Sequence, residues 1–130
     1  MQLKNMVVFD TNAILRYILQ DNEEMAGAVE KQIQQHNCFI PTEVIAEMVY
    51  ILSKVYSVDK SDIVTAIKGV LSVENVITPD YETVEKGLEA YLATNLDFVD
   101  CLMVGYQCNG YTVFTFDKKL KKYLYSVKSD

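Results

Sequence analysis

The sequence predicts an α/β fold whose central, mostly parallel sheet of four to five strands is covered by helices on both faces. Two observations lead there. Several short apolar runs are uninterrupted by polar residues, the signature of strands buried on both sides. The segments between them repeat apolar residues at helical spacing, and parallel neighbours need such crossovers. The chain has 130 residues, half of them hydrophobic, with five Gly and two Pro. That composition excludes low-complexity disorder. The length suits one domain over 1–130, able to bury about two thirds of the surface its unfolded chain exposes.

The first strand is Met6–Phe9, stopped by Asp10. From Thr11 to about Gln34 the pattern is helical, with a break near Asp21–Asn22. Cys38–Ile40 is a second strand, closed by Pro41. Thr42 is placed to cap a third helix whose apolar face is Val44, Met48, Ile51, Leu52 and Val55. A helix from about Lys60 turns Ile63, Ile67, Val70 and Leu71 inward. Val76–Ile77 is the third strand, and Pro79–Asp80 starts a helix with Val84, Leu88, Tyr91 and Leu92 facing in. Asp97 to about Cys108 is apolar nearly all round and predicts a buried helix, ended by Asn109–Gly110. Thr112–Phe116 follows as a fourth strand and Lys118–Lys122 as a short basic helix. Tyr125–Val127 is a candidate fifth, edge strand.

The net charge is −6, which on average disfavours a nucleic-acid partner. The average hides an uneven distribution. Residues 1–117 carry −10 and residues 118–130 carry +4. Between Lys86 and Lys118 there is no Lys or Arg, yet Glu89, Asp97, Asp100 and Asp117 fall in or at the end of that gap. Glu43 and Glu47 occupy a similar gap between Lys31 and Lys54. Carboxylates in apolar surroundings must pair, protonate or bind metal.

Asp10 and Asp117 each end a predicted strand, and ligands of parallel sheets bind beyond the carboxyl ends of the strands. Each could be only a helix cap or turn residue, or each could be a metal ligand. Thr11 and Asn12 would then orient Asp10 or the substrate, and Thr115 would support Asp117. Glu47 lies on a polar stripe with Glu43, Tyr50 and Lys54, either a solvated face or a ligand close to the strand ends. Asp97 and Asp100 open the most hydrophobic helix, where the dipole favours acids. Asp100 is flanked by Phe98, Val99, Cys101, Leu102 and Met103 and has no cation near it in sequence. A bound cation answers that need. Such oxygen ligands suit Mg²⁺ or Mn²⁺. Zinc would call for Cys and His clusters, but His36 is the single histidine. Serine–histidine triads and histidine-pair chemistry are equally unsupported. Lys118, Lys119, Lys121 and Lys122 could neutralise the phosphates of a nucleic acid, with Tyr123 or Tyr125 for stacking, or form a basic helix that only aids solubility.

Three sparse cysteines argue for a reducing compartment, hence a cytoplasmic protein. No apolar run is long enough to span a membrane, and the first ten residues have no signal-peptide core.

The segments VVFDTNAILRYIL, PTEVIAEMVYIL and LDFVDCLMVGYQCNGYTVFTFD resemble the PIN domain, in particular its compact VapC-like toxin ribonucleases. The resemblance runs essentially from end to end. The family's first aspartate falls on Asp10, its helix glutamate on Glu47 and its final T-F-D aspartate on Asp117. The aspartate of its D-A-L-I-like helix falls on Asp100, here followed by Cys101–Leu102–Met103, and the preceding acid falls on Asp97. The resemblance implies a three-layer α/β/α fold and a Mg²⁺- or Mn²⁺-dependent endoribonuclease that hydrolyses RNA with a metal-activated water. It also implies a dimer and a VapB-like antitoxin partner whose C-terminal segment blocks the acidic pocket. The alternatives are a PIN module that binds RNA or protein without cleaving, and a haloacid-dehalogenase-like phosphatase using Asp10. The phosphatase motif needs a second acid two positions on, where Asn12 stands.

Overall fold

The chain folds, in a computed structural model that describes residues 6–126, in the order β1 (Val7–Val8), α1 (Thr11–Leu19), α2 (Glu23–Gln35), β2 (Cys38–Phe39), α3 (Thr42–Lys54), α4 (Lys60–Leu71), β3 (Val76–Ile77), α5 (Tyr81–Ala93), α6 (Phe98–Cys108) and α7 (Lys118–Ser126). The predicted class holds: this is an α/β chain with a parallel sheet. It divides after Pro79 into two compact units.

The first unit is built on the sheet β1-β2-β3, parallel throughout, with Val7 opposite Cys38 and Cys38 opposite Val76. Two helices connect each strand to the next, as parallel pairing demands. The predicted break between α1 and α2 has two causes. Gln20 turns left-handed at φ 54° and closes α1 on the Arg16 carbonyl, then the Asn22 side chain accepts from Met25 N at 3.0 Å and starts α2. Arg16 fastens this corner, pairing with Asp21 at 2.6 Å and donating to the Tyr56 hydroxyl at 3.1 Å. Ile14, Ile40, Ile45, Met48, Leu52, Ile63 and Ile67 are almost wholly enclosed.

Helix α3 departs from expectation in two details. Pro41, not Thr42, is its cap: the Pro41 carbonyl already accepts from Val44 N and Ile45 N, so Thr42 is the first helical residue. The buried stripe is Ile45, Met48, Val49 and Leu52, an i, i+3, i+4, i+7 set, while Val55 is exposed.

In the second unit α5 and α6 pack closely. The missing side chain of Gly105 lets the Thr83 carbonyl approach the helix backbone. Val84, Leu88, Tyr91, Cys101 and Leu102 form the core here, whereas Leu92 points outward. Asn109 and Gly110, the latter at φ 97°, end α6 as the sequence indicates.

The expected fourth and fifth strands are not formed among the described residues, where the sheet has three. Residues 112–116 keep strand-like alternation, Val113 and Thr115 half-buried and Phe114 and Phe116 exposed. Side chains satisfy backbone donors there in place of a ladder: Val113 N donates to Gln107 Oε1 at 3.4 Å, and Asp117 N to Thr115 Oγ1 at 3.0 Å. Tyr125 belongs to α7, which continues because Leu120 and Leu124, one turn apart, are both buried. Val127 lies outside the described residues.

Candidate functional site

In the first unit the parallel register brings the carboxyl ends of the three strands to one edge. Phe9 N donates to Phe39 O at 3.0 Å and Ile40 N to Ile77 O at 2.8 Å, so the chain leaves β1, β2 and β3 at matching levels. Asp10 emerges there. Its backbone is extended, and its Oδ1 accepts from Ala13 N at 2.9 Å, capping α1. One carboxylate oxygen thus serves the cap, and the other retains its lone pairs for a cation. Thr11 and Asn12 form the first turn of α1 beside it. Glu47 is exposed on α3, five residues and about 8 Å of helix beyond Thr42, where that helix begins.

Two residues at this edge are not among the site residues expected from sequence, where Thr42 reads only as a cap. Thr42 and Thr78 follow β2 and β3, and their hydroxyls are buried without a hydrogen-bond partner among the described residues. A threonine after a strand carries no distinguishing sequence signal, since burial of its hydroxyl depends on packing.

The second unit gathers the remaining candidates. Asp97 is the extended residue before α6, and Asp100 is in its first turn, so the two lie on one side of the helix start. Asp117 precedes α7 and its Oδ1 accepts from Leu120 N at 2.8 Å. It caps α7 much as Asp10 caps α1. The Thr115 hydroxyl accepts from the Asp117 amide, fixing the backbone that carries this carboxylate. Asp100 is half-buried, and burial raises its carboxyl pKa above the ordinary value; the charges of Asp117 and Asp97 add to the rise, and Lys119 opposes it. The charges of Asp97 and Asp117 thus reach Asp100.

Lys119 is the cation that the sequence gap had withheld from Asp100. It lies nineteen positions later, and its ammonium donates to the Asn95 carbonyl at 3.2 Å. Its neighbours Lys118, Lys121 and Lys122 are exposed on α7.

Among the described residues, no group of three or more His, Cys, Asp or Glu side chains is drawn together closely enough to hold a metal by itself. Mg²⁺ does not require one: it binds through one or two carboxylates, keeps several waters and draws further oxygens from substrate phosphate. Asp100, half-buried and with its proton affinity raised, offers the oxygen ligand that such a hard cation prefers. No described helix is long and apolar enough to cross a membrane.

The family model described as PIN domain matches residues 7–123, a span that contains every candidate acid. Comparison with curated proteins and with solved structures finds no match.

Proposed function

The chain belongs to the PIN domain family, a family of nuclease-type modules, and from that premise we propose that it is a Mg²⁺- or Mn²⁺-dependent endoribonuclease. We also read residues 1–130 as one PIN domain, a reading supported by the match across both units. The observation that carries the proposed activity is the electrostatic crowding of Asp97, Asp100 and Asp117 at the starts of α6 and α7. Crowded carboxylates are unfavourable in a resting scaffold and are relieved by a cation.

In this reading Asp10, Glu47, Asp100 and Asp117 hold the metal, with Asp97 as a direct ligand or holding its water. A divalent ion so held supplies charge neutralisation and a water of lowered pKa. The chain's own residues do the rest. The caps on Ala13 and Leu120 fix the Asp10 and Asp117 carboxylates, and Thr115 steadies Asp117. Thr11 and Asn12 position the substrate. Lys118, Lys119, Lys121 and Lys122 neutralise flanking phosphates. Products carry a 5′-phosphate and a 3′-hydroxyl. The biological role that fits is a cytoplasmic, homodimeric VapC-like toxin held in check by a VapB-like antitoxin, a role suggested by the motif resemblance.

Purified protein should cleave structured RNA with Mg²⁺ or Mn²⁺ and not with EDTA. Asp100→Asn should lower the rate about 10³-fold, the scale of losing a transition-state charge stabiliser. Equal cleavage by wild type, EDTA-treated protein and Asp100→Asn would identify a contaminant and overturn the assignment. A second reading, a PIN module that binds RNA without cleaving it, draws on the lack of a preassembled three-ligand set among the described residues. RNA retention with no cleavage in either metal would establish it.

A further inference from the structure

Phe114 and Phe116 each expose 83% of their surface and Tyr125 exposes 85%, although burial of such rings is favourable. Hydrogen bonds hold the backbone that presents them. Gln107 of α6 donates to the Leu124 carbonyl of α7 at 2.7 Å, and its Oε1 accepts from Val113 N at 3.4 Å. One side chain thus ties residues 112–116 to the second half of α7. An open groove of about 360 Å³ runs here, lined by Val113, Phe114, Thr115, Lys121, Leu124 and Tyr125. The Phe114 and Phe116 rings meet edge to face with centroids 5.2 Å apart, which leaves most of both rings to solvent. On α7, Lys118, Lys121, Lys122 and Tyr125 stand at i, i+3, i+4 and i+7, one face of the helix, away from the buried Leu120 and Leu124. The helix contains no acid to offset those charges. Exposed rings in a group mark an interaction surface. Lysines beside them select a polyanion, and the rings select one with flat faces to offer. An unpaired nucleotide strand meets both demands, whereas the bases of a duplex already stack on one another.

We propose that Phe114, Phe116 and Tyr125 form a base-stacking subsite for unpaired nucleotides of the RNA, with Lys118, Lys121 and Lys122 on the adjoining phosphates. The inference rests on the ribonuclease reading above and deepens it. Phe116 directly precedes Asp117, so a base seated on these rings fixes which stretch of the strand lies beside that acid. The rings touch bases and not the scissile phosphate. Stacking accepts any base, so the subsite distinguishes unpaired from paired RNA and not one sequence from another. Each base stacked on an aromatic side chain is worth about tenfold in affinity.

The test is fluorescence anisotropy of the full chain with a short labelled RNA that forms no duplex, in EDTA, where binding is read without cleavage. Phe114→Ala and Phe116→Ala should each weaken binding about tenfold, and Phe114→Tyr should stay within about twofold. Lys121→Gln should weaken binding and lower its salt dependence by about one ion. Tyr81→Ala, which removes an exposed ring of α5 outside the groove, should leave the affinity unchanged. An abasic strand of equal charge supplies the second arm. Wild type should bind it at least about tenfold more weakly than the RNA, and the Phe114→Ala/Phe116→Ala protein should lose most of that preference. Alanine variants that bind RNA as wild type does, or a wild type that binds both strands alike, would overturn the subsite. Cleavage by the same proteins in Mn²⁺ would then leave the ribonuclease reading standing. A wild type that neither binds nor cleaves RNA would overturn both. Alanine variants that keep their RNA affinity but pass from dimer to monomer would assign the rings to a second copy of the chain instead.

Discussion

In the unit that ends at Pro79, several charged and polar side chains find partners. Arg16 is matched by Asp21 and Tyr56, Asp10 by the Ala13 amide, and Asn22 by the Met25 amide. In the unit that begins at Asp80, the acids at the starts of α6 and α7 crowd one another, and Asp100 is half-buried with its proton affinity raised. The difference teaches where the molecule carries unresolved electrostatic tension. An aspartate at a helix start can be satisfied in part by a cap, as at Asp10, whereas Asp97 makes no side-chain cap bond despite its position before α6. Tension of this kind is typical of sites that await a ligand.

Helix packing separates the units as well, and gives the largest stability effect. Gly105 sits against the Thr83 carbonyl, so a methyl group there meets a backbone oxygen that cannot rotate away. Gly105→Ala should destabilise the protein by about 3 kcal/mol, the upper range for overpacking, measured as a shift in urea midpoint. A loss below about 0.5 kcal/mol would show that α5 and α6 can separate at little cost.

The electrostatic contrast predicts a smaller effect whose sign depends on pH. Asp100 has a higher carboxyl pKa folded than unfolded, so the folded state binds its proton more tightly. The stability due to this proton is fully present below the unfolded-state value and is lost as pH rises through the folded one. Asp100→Asn keeps the shape without the charge and should make the metal-free protein about 1 kcal/mol more stable at pH 7, a usual gain on relaxing a strained functional site. The gain should vanish in acid. Saturating Mn²⁺ should reverse the order, raising the melting temperature of wild type alone. Thermal melts across pH, with and without the metal, distinguish these cases. A variant less stable than wild type at pH 7 in EDTA would remove the claim of crowding.

How much of this was legible in the sequence depended on how local the cause was. The apolar runs at Val7–Val8, Cys38–Phe39 and Val76–Ile77 announced the parallel strands because burial on both faces leaves a local trace. The α1–α2 break and the end of α6 were readable because Asn22 and Gly110 act on the backbone beside them. The isolation of Asp100 among apolar neighbours was also visible. Its relation to Lys119 was not, since a separation of nineteen residues is bridged only by folding. The run 112–116 has strand composition, but a ladder depends on a partner that composition does not name. Thr42 looked like a cap until the Pro41 carbonyl took the amides of Val44 and Ile45.

The smallest predicted effect tests the packing contrast from the other side. Gly69 lies in α4, in the first unit, and a methyl group placed on it meets no atom within 4 Å. Its φ is not in the left-handed region, so alanine fits the backbone it already has. Nothing in the folded state then opposes the change. The unfolded chain, by contrast, loses conformational freedom when glycine becomes alanine, and helix propensity improves. Gly69→Ala should therefore stabilise the protein by about 0.5–1 kcal/mol, read as a higher urea midpoint with an unchanged slope. The same substitution thus carries opposite signs at Gly69 and Gly105, because one helix face is open where the other is pressed against a carbonyl. Equal effects at the two positions would mean that propensity, and not the close approach of α5 to α6, governs both.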